Sequence, residues 1–194
     1  MSGRPKDRID PTDLLNVLQR EVRNGQCPEY LFFWRCPSKN PVVVGRECLS
    51  QWYAAPFELD GHRFATAEHY MMFRKALLFG DEQAAERILA SGSSRTAKAL
   101  GRSVRGFHER VWAARRYDIV VAGNQAKFEQ HVALRDFLVG TKDRILVEAN
   151  PADQVWGIGL AEDDPRAENP LRWRGLNLLG FALMTVRSRL SERG

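Results

Sequence analysis

Hydrophobic positions recur along this chain with two periods, and the switches between them mark most of its elements. Residues 1–10 are polar and basic, with no apolar run behind them, which is not the pattern of a secretory signal. Leu14, Leu15, Val17, Leu18 and Val22 then recur at helical spacing. Asp10 suits an N-cap, Pro11 the first helical position and Asp13 the first turn, while Asn24-Gly25 stops the run. The stripe predicts a peripheral N-terminal helix. Residues 30–34 and 42–44 read as short strands. Phe57-Glu58-Leu59, then Asp60-Gly61, then His62-Arg63-Phe64 predict a hairpin, because Asp-Gly supplies the positive φ angles of a type I′ turn.

From Thr66 the period turns helical. Thr66 caps a predicted helix over 67–79 that ends at Gly80, and Asp81 caps a second to about residue 90. Ser93 or Ser94 caps a third, through Ala97 and Leu100 to Gly101. A fourth runs from His108 or Glu109 to Val121 and ends near Gly123-Asn124. A fifth covers 125–138, with Phe128, Val132, Leu134, Phe137 and Leu138 apolar. Residues 145–148 form a strand, and Leu179, Leu183, Val186 and Leu190 place the last helix over 176–190. Strands first and helices after, without βαβ alternation or a fixed repeat, predict an α+β fold. It is expected to be a single compact, helix-rich domain over residues 30–194, with a small sheet and hairpin. Residues 1–29 form an N-terminal extension carrying the extra helix.

Composition narrows the class. At 194 residues, 44% hydrophobic and 27% charged, the chain fits one soluble globular domain. Its longest apolar-looking run, 177–186, is about half a bilayer span and is broken by Gly180, so no membrane is expected. Three cysteines without a C-x-x-C pair suggest a reducing compartment and a cytoplasmic location. Cys27, Cys36 and Cys48 are spaced too widely and irregularly for a zinc knuckle, so no metal is expected. The net charge is +5, with Arg102, Arg105, Arg110, Arg115 and Arg116 close together. They suit a phosphate site, a nucleic-acid patch or a solvated helix face.

No common nucleotide-phosphate or hydrolase motif is present. Three segments carry candidate chemistry instead. Glu68, Met72 and Lys75 share one helix face, with Glu68 and Lys75 about 10 Å apart along the axis. A carboxylate and an amine so placed can flank a sugar-sized ligand, although a Glu there also suits the helix dipole. A strand running into Asp153 and then Trp156-Gly157-x-Gly159 offers a carboxylate and glycines that admit a ligand, or an Asp that bonds its own turn. Asn177 stands at the entry of the last helix, as a site residue or a plain cap.

Taken together, these segments resemble the NADAR domain, or YbiA-like, family. The resemblance runs from about Cys48 to Leu190. It rests on Leu49-Ser50-Gln51-Trp52-Tyr53, the Thr-x-Glu-His-Tyr box at 66–70 with Lys75 behind it, Lys98-Ala-Leu-Gly101-Arg102, Trp112, Arg116 and Lys127-Phe-Glu-Gln130. It continues through Leu146-Val-Glu-Ala149, Asp153, Trp156-Gly157-x-Gly159 and Gly175-x-Asn177-x-Leu-Gly180. Family members usually read Asn-Phe where this chain has Gln51-Trp52, and Gln-Ala after the box tyrosine where it has Met71-Met72.

The resemblance implies a glycosyl hydrolase acting on N-glycosyl compounds, with no cofactor. The substrates it implies are early riboflavin-pathway ribosylamino-pyrimidine phosphates, or ADP-ribose on guanine bases, ADP-ribosylated nucleic acid included. A non-catalytic NAD or ADP-ribose binder is the alternative. By position the family's functional residues map to Glu68, Trp112, Asp153 and Lys75. Trp52, His69, Arg116, Trp156, Gly157 and Asn177 are expected to bind substrate. Cleaving a C1′–N bond develops positive charge on the sugar, which a nearby carboxylate favours. Trp112 would stack on the base or wall the ribose, or is an ordinary core tryptophan. Lys75 would hold phosphate or attack C1′, and Arg116 would contact phosphate.

Overall fold

The computed structural model describes residues 11–34 and 44–192. In chain order the elements are α1 (Pro11–Arg23), β1 (Tyr30–Phe33), a 3-10 turn (Arg46–Leu49), β2 (Phe57–Leu59), β3 (His62–Phe64), α2 (Ala67–Leu78), α3 (Glu82–Leu89), α4 (Ser94–Arg102), α5 (Glu109–Gln130), α6 (Val132–Gly140), β4 (Ile145–Glu148), a second 3-10 turn (Pro170–Arg172) and α7 (Leu178–Ser191). The class is α+β, helix-rich, with two two-stranded sheets, β1-β4 and β2-β3. Expectations for Asp10, Cys36, Val42 and Val43 fall outside the described residues, and Val44 lies in neither helix nor strand. No helix among the described residues is long and apolar enough to cross a membrane.

Local chemistry accounts for most boundaries. Thr66, Asp81 and Ser93 cap α2, α3 and α4 by accepting from the backbone N–H of His69, Ala84 and Thr96. Asp60 and Gly61 take φ of 53° and 77°, the type I′ signature, and pair Phe57 with Phe64 across the hairpin.

Two boundaries differ from the sequence reading. The expected fourth and fifth helices are one 22-residue helix, α5, which passes straight through Gly123-Asn124. Gly123 is not a stop: a Cβ there would stand 2.5 Å from the Tyr70 ring. Asn124 donates to the Val120 carbonyl at 2.9 Å within the helix rather than ending it. The break falls at His131, whose backbone is extended. The last helix starts at Leu178 rather than at residue 176, because Asn177 adopts a left-handed φ of 53°.

The residues gather into two compact units, each threaded from two stretches of chain, which is why no linker in the sequence separates them. The first comprises Met1–Phe32 and Asp143–Phe181. Val147, Ile158, Leu160 and Ala167 form its core, with Tyr30, Phe32, Ile145 and Trp173 packed against them. Helix α1 buries Leu18, and Gln19 donates to the Pro170 carbonyl at 2.9 Å.

The second unit comprises Phe33–Lys142 and Ala182–Gly194. Its centre is α2, which buries Ala67 through Phe73 and Ala76. Phe64 stacks edge-on against Tyr70 and Phe73, with ring centroids 5.1 and 5.3 Å apart. Helix α4 meets α2 at Gly101, where a Cβ would fall 2.0 Å from the Met72 sulfur, and α5 meets it at Gly123. Gly123→Ala is therefore expected to cost about 1–3 kcal/mol through overpacking against Tyr70. Gly140→Ala, at the end of α6 with nothing within 4 Å of the added Cβ, is the control and should hold stability or raise it by up to about 1 kcal/mol. Urea unfolding of both variants checks this.

Candidate active site

Helix α2 carries a carboxylate near its start and an amine near its end. Glu68 lies in the first turn, only 3% exposed, and its backbone N–H donates to the Gln51 carbonyl at 3.0 Å. Such a first-turn N–H has no partner within its own helix, so the Gln51 carbonyl satisfies a group the fold must satisfy somewhere. Two turns on, the Lys75 amine donates to the Gly101 carbonyl at 2.8 Å. It stands 4.2 Å from the Phe107 ring centre and 5.6 Å from that of Trp112. Burial lowers its proton affinity below the ordinary lysine range; Glu109 opposes that shift and Arg102 adds to it.

The walls at the amine end come from α5 and the loop before it. Trp112 retains 7% of its surface, so its body belongs to the core while its ring borders the amine. Arg116, one turn later, reaches Glu109 at 3.3 Å, and its buried Nε has no partner among the described residues. Phe107, 42% exposed, packs edge-on against Phe79. A clamp holds its loop: Asp81 accepts from the Arg105 backbone N–H at 2.9 Å and from its guanidinium at 2.7 Å. Those bonds from Arg105 keep the Asp81 carboxyl well below the usual carboxylate range. Arg105 is thereby committed to the fold, not to a ligand.

The other end is fixed by a buried lysine. Lys127, fully buried, donates to the carbonyls of Cys48 at 2.6 Å and Ser50 at 3.1 Å. This holds the segment bearing Gln51 and Trp52. Trp52 is 40% exposed, with the Lys98 amine 5.9 Å from its ring centre. His69 departs from the expectation of substrate contact. It is 2% exposed, and both ring nitrogens are engaged inside the protein, Nδ1 with the Thr66 hydroxyl at 2.8 Å and Nε2 with the Ser91 carbonyl at 3.1 Å.

Asp153, Trp156, Gly157 and Asn177 cluster in the first unit, where the structure gives them mainly structural duties. Asp153 Oδ1 accepts from the backbone N–H of Val155 and Trp156 at 2.9 and 2.8 Å, so the carboxylate builds its own turn. Trp156 is half-buried, and its carbonyl accepts from Leu179 N–H at 3.1 Å. At Gly157 the room for a side chain is taken by the protein: a Cβ would stand 2.8 Å from the Glu148 carbonyl oxygen. Asn177 is fully buried; its amide donates to the Leu146 carbonyl at 2.9 Å and accepts from Glu148 N–H at 3.0 Å, continuing the edge of β4. Gly157 and Asn177 thus have their space and polar atoms committed to the fold rather than to a ligand.

Sequence reasoning missed Phe107, the Asp81–Arg105 clamp, Lys127 and Asn124. For Lys127 the available signal was spacing: Trp112, Arg116, Val120, Gly123 and Lys127 follow a helical period once α5 is read as continuous.

The NADAR domain model matches residues 32–191. An N-glycosidase of Acanthamoeba polyphaga mimivirus is 39% identical over 164 residues, covering 82% of this chain and 95% of the relative. N-glycosidase YbiA of Escherichia coli (strain K12) is 32% identical over 142 residues, covering 73% and 80%. The NMR structure of E. coli YbiA superposes with a TM-score of 0.68 at 27% identity, covering 87% of this chain and 88% of that one.

The His69 geometry has a pH consequence. Ser91 O can only accept, so Nε2 carries the proton and Nδ1 is the lone-pair side. Burial lowers the proton affinity of the ring, against the Ser91 hydrogen bond. The unfolded chain then binds a proton near pH 6.5 that the folded chain resists. His69 stability is present above about pH 6.5 and lost as pH falls through the lower folded value. Urea midpoints measured from pH 7.5 to 5 should fall, and His69→Gln should remove part of that slope. Equal slopes in the two proteins refute it.

Proposed function

The chain belongs to the NADAR domain family, and from that premise we propose that it hydrolyses the ribose C1′–N bond of ribosylamino-pyrimidine phosphates, early intermediates of riboflavin synthesis. It is a hydrolase of N-glycosyl compounds, as its named relatives are. The observation that carries the reading is the pairing on α2 of a buried carboxylate, Glu68, with a half-buried amine, Lys75, whose Nζ lies against Trp112 and Phe107.

Glu68 favours the positive charge that develops at C1′ and exchanges a proton with the departing nitrogen. Lys75, less basic than an exposed lysine, adds to C1′ of the ring-opened sugar. The C1′–N bond to the pyrimidine breaks, and that nitrogen leaves with a proton as the free amine. Water then hydrolyses the imine on Lys75, which releases the sugar phosphate and restores the amine. Arg116 takes the phosphate, and its buried Nε, open for a hydrogen bond, supports that role. Trp112 and Trp52 border the ligand. Asp153 contributes through Oδ2, since Oδ1 is spent on its turn, and Trp156 lies beside it in sequence.

The test offers the protein a ribosylamino-pyrimidine phosphate and an ADP-ribosyl-guanosine, and reads released base by mass spectrometry. Release from the first is expected. Release only from the second reassigns the substrate to ADP-ribosylated guanine, and release from neither leaves a binding module. Glu68→Gln should keep the fold and lower turnover at least about 100-fold. Asp153→Asn, which keeps the Oδ1 acceptor, should lose turnover while holding its melting temperature; equal turnover removes Asp153 from the reaction. Borohydride added during turnover should fix one sugar-phosphate mass on wild type and none on Lys75→Met. Unmodified wild type would leave Lys75 with a phosphate-holding role instead.

A further inference from the structure

Close in the fold to the start of α2, one buried hydrogen-bond donor and one buried acceptor have no partner among the described residues. Gln51, 8% exposed, and Asn124, fully buried, are joined by a 3.4 Å hydrogen bond from Asn124 Nδ2 to Gln51 Oε1. Asn124 Nδ2 also donates to the Val120 carbonyl at 2.9 Å, which fixes the orientation of its amide. That leaves Asn124 Oδ1 an acceptor and Gln51 Nε2 a donor, both buried and without partners among the described residues. Buried polar groups are overwhelmingly paired, so two open ones on bonded neighbours call for an explanation.

One group satisfies both at once: a hydroxyl, which donates to Oδ1 and accepts from Nε2. The pair is tied to the start of α2 through the backbone, because the same Gln51 supplies the carbonyl that holds the Glu68 N–H at 3.0 Å. We propose that Gln51 and Asn124 bind the C2 hydroxyl of the substrate sugar and make the site select ribose over 2-deoxyribose. This rests on the reading of Glu68 as the group facing C1′. The hydroxyl on the neighbouring carbon is then the one within reach. Gln51 retains 8% of its surface, whereas Asn124 is fully buried and bonded within α5. The chemical class is a pentose phosphate with a free 2-hydroxyl, and the selection is against the analogue that leaves the buried pair unmatched.

The test uses the sugar phosphates themselves, so it needs no turnover. Calorimetry should show wild type binding ribose 5-phosphate at least about tenfold more tightly than 2-deoxyribose 5-phosphate. Gln51→Met, which keeps length and loses both polar atoms, should bring the two within about twofold by weakening ribose 5-phosphate alone. In 15N-labelled wild type, the Gln51 side-chain amide signal, assigned by its loss in Gln51→Met, should move with ribose 5-phosphate and stay with the deoxy sugar. This second measurement decides the matter if the variant fails to fold. An equal affinity of wild type for the two sugars overturns the proposal. So does an undiminished preference in Gln51→Met, as expected if a bound water fills the pair, or binding of neither sugar at millimolar concentration. Ribose preference without base release would sink the hydrolase reading and leave this one standing; base release without the preference does the reverse.

Discussion

Helix α2 can hold a carboxylate at one end and an amine at the other because two of its neighbours approach it without side chains. Gly101 on α4 and Gly123 on α5 sit where a Cβ would collide with Met72 and Tyr70. A glycine inside a helix is about 1 kcal/mol less favourable than alanine, so each position is a local sacrifice offset by packing. Met72 lies between Glu68 and Lys75 on their face, and its sulfur fills the space that Gly101 leaves. The same contact brings the Gly101 carbonyl to the Lys75 amine at 2.8 Å. Close packing and placement of the amine are therefore one event, and the geometry of the site inherits the rigidity of the helix contact.

That dependence explains what was legible in the sequence. The hairpin at Asp60-Gly61 and the caps at Thr66, Asp81 and Ser93 follow from local chemistry, and the structure places them as the residues imply. The α+β class followed as well, because strand and helix periods rarely mimic one another over long runs. Gly123-Asn124 carried the same local signature as a helix end and meant the opposite. Its reason is a ring from another helix, which no local pattern encodes. Gly157 and Asn177 likewise answer to the chain: the space beside one is taken by the Glu148 carbonyl, and the other mimics backbone along β4. Residue type marked these positions as special without saying whether a ligand or the chain itself made them so. Glu68 and Lys75 were legible because a shared helix face is itself a local property.

The irregular segment before β2 presents a complementary problem, since a chain without a ladder must still satisfy its carbonyls. Those of Cys48 and Ser50 take the Lys127 amine, and that of Gln51 takes the first-turn N–H of Glu68. Burying an ammonium carries a large desolvation cost, recovered only where it makes several good hydrogen bonds. Two carbonyls and the rings of Tyr53 and Phe128, 5.5 and 5.0 Å from Nζ, supply that here. The segment is thereby pinned at both α2 and α5. Gln51 is presented on a rigid base, and its side chain is held in turn by Asn124 at 3.4 Å, as a group that must recognise rather than adapt requires.

Charge makes the last connection. Residues 94–116 hold seven basic side chains, Arg95, Lys98, Arg102, Arg105, Arg110, Arg115 and Arg116, against one acid, Glu109. That net of +6 exceeds the +5 of the whole chain, so the rest of the protein is slightly acidic. Arg105 is tied to Asp81, and Arg116 reaches Glu109. Arg95 follows Ser94, whose hydroxyl meets that of Thr66 at the other end of α2 at 3.0 Å, whereas Arg102, Arg110 and Arg115 remain exposed on α4 and α5 around its amine end. Their field reaches over roughly a Debye length, about 8 Å in physiological salt, and favours an anion near Lys75. The same sign of charge disfavours a proton on the amine, as the effect of Arg102 on Lys75 illustrates. An anionic substrate and a deprotonated amine are thus favoured by one arrangement, and Glu109, the single acid in the stretch, moderates both.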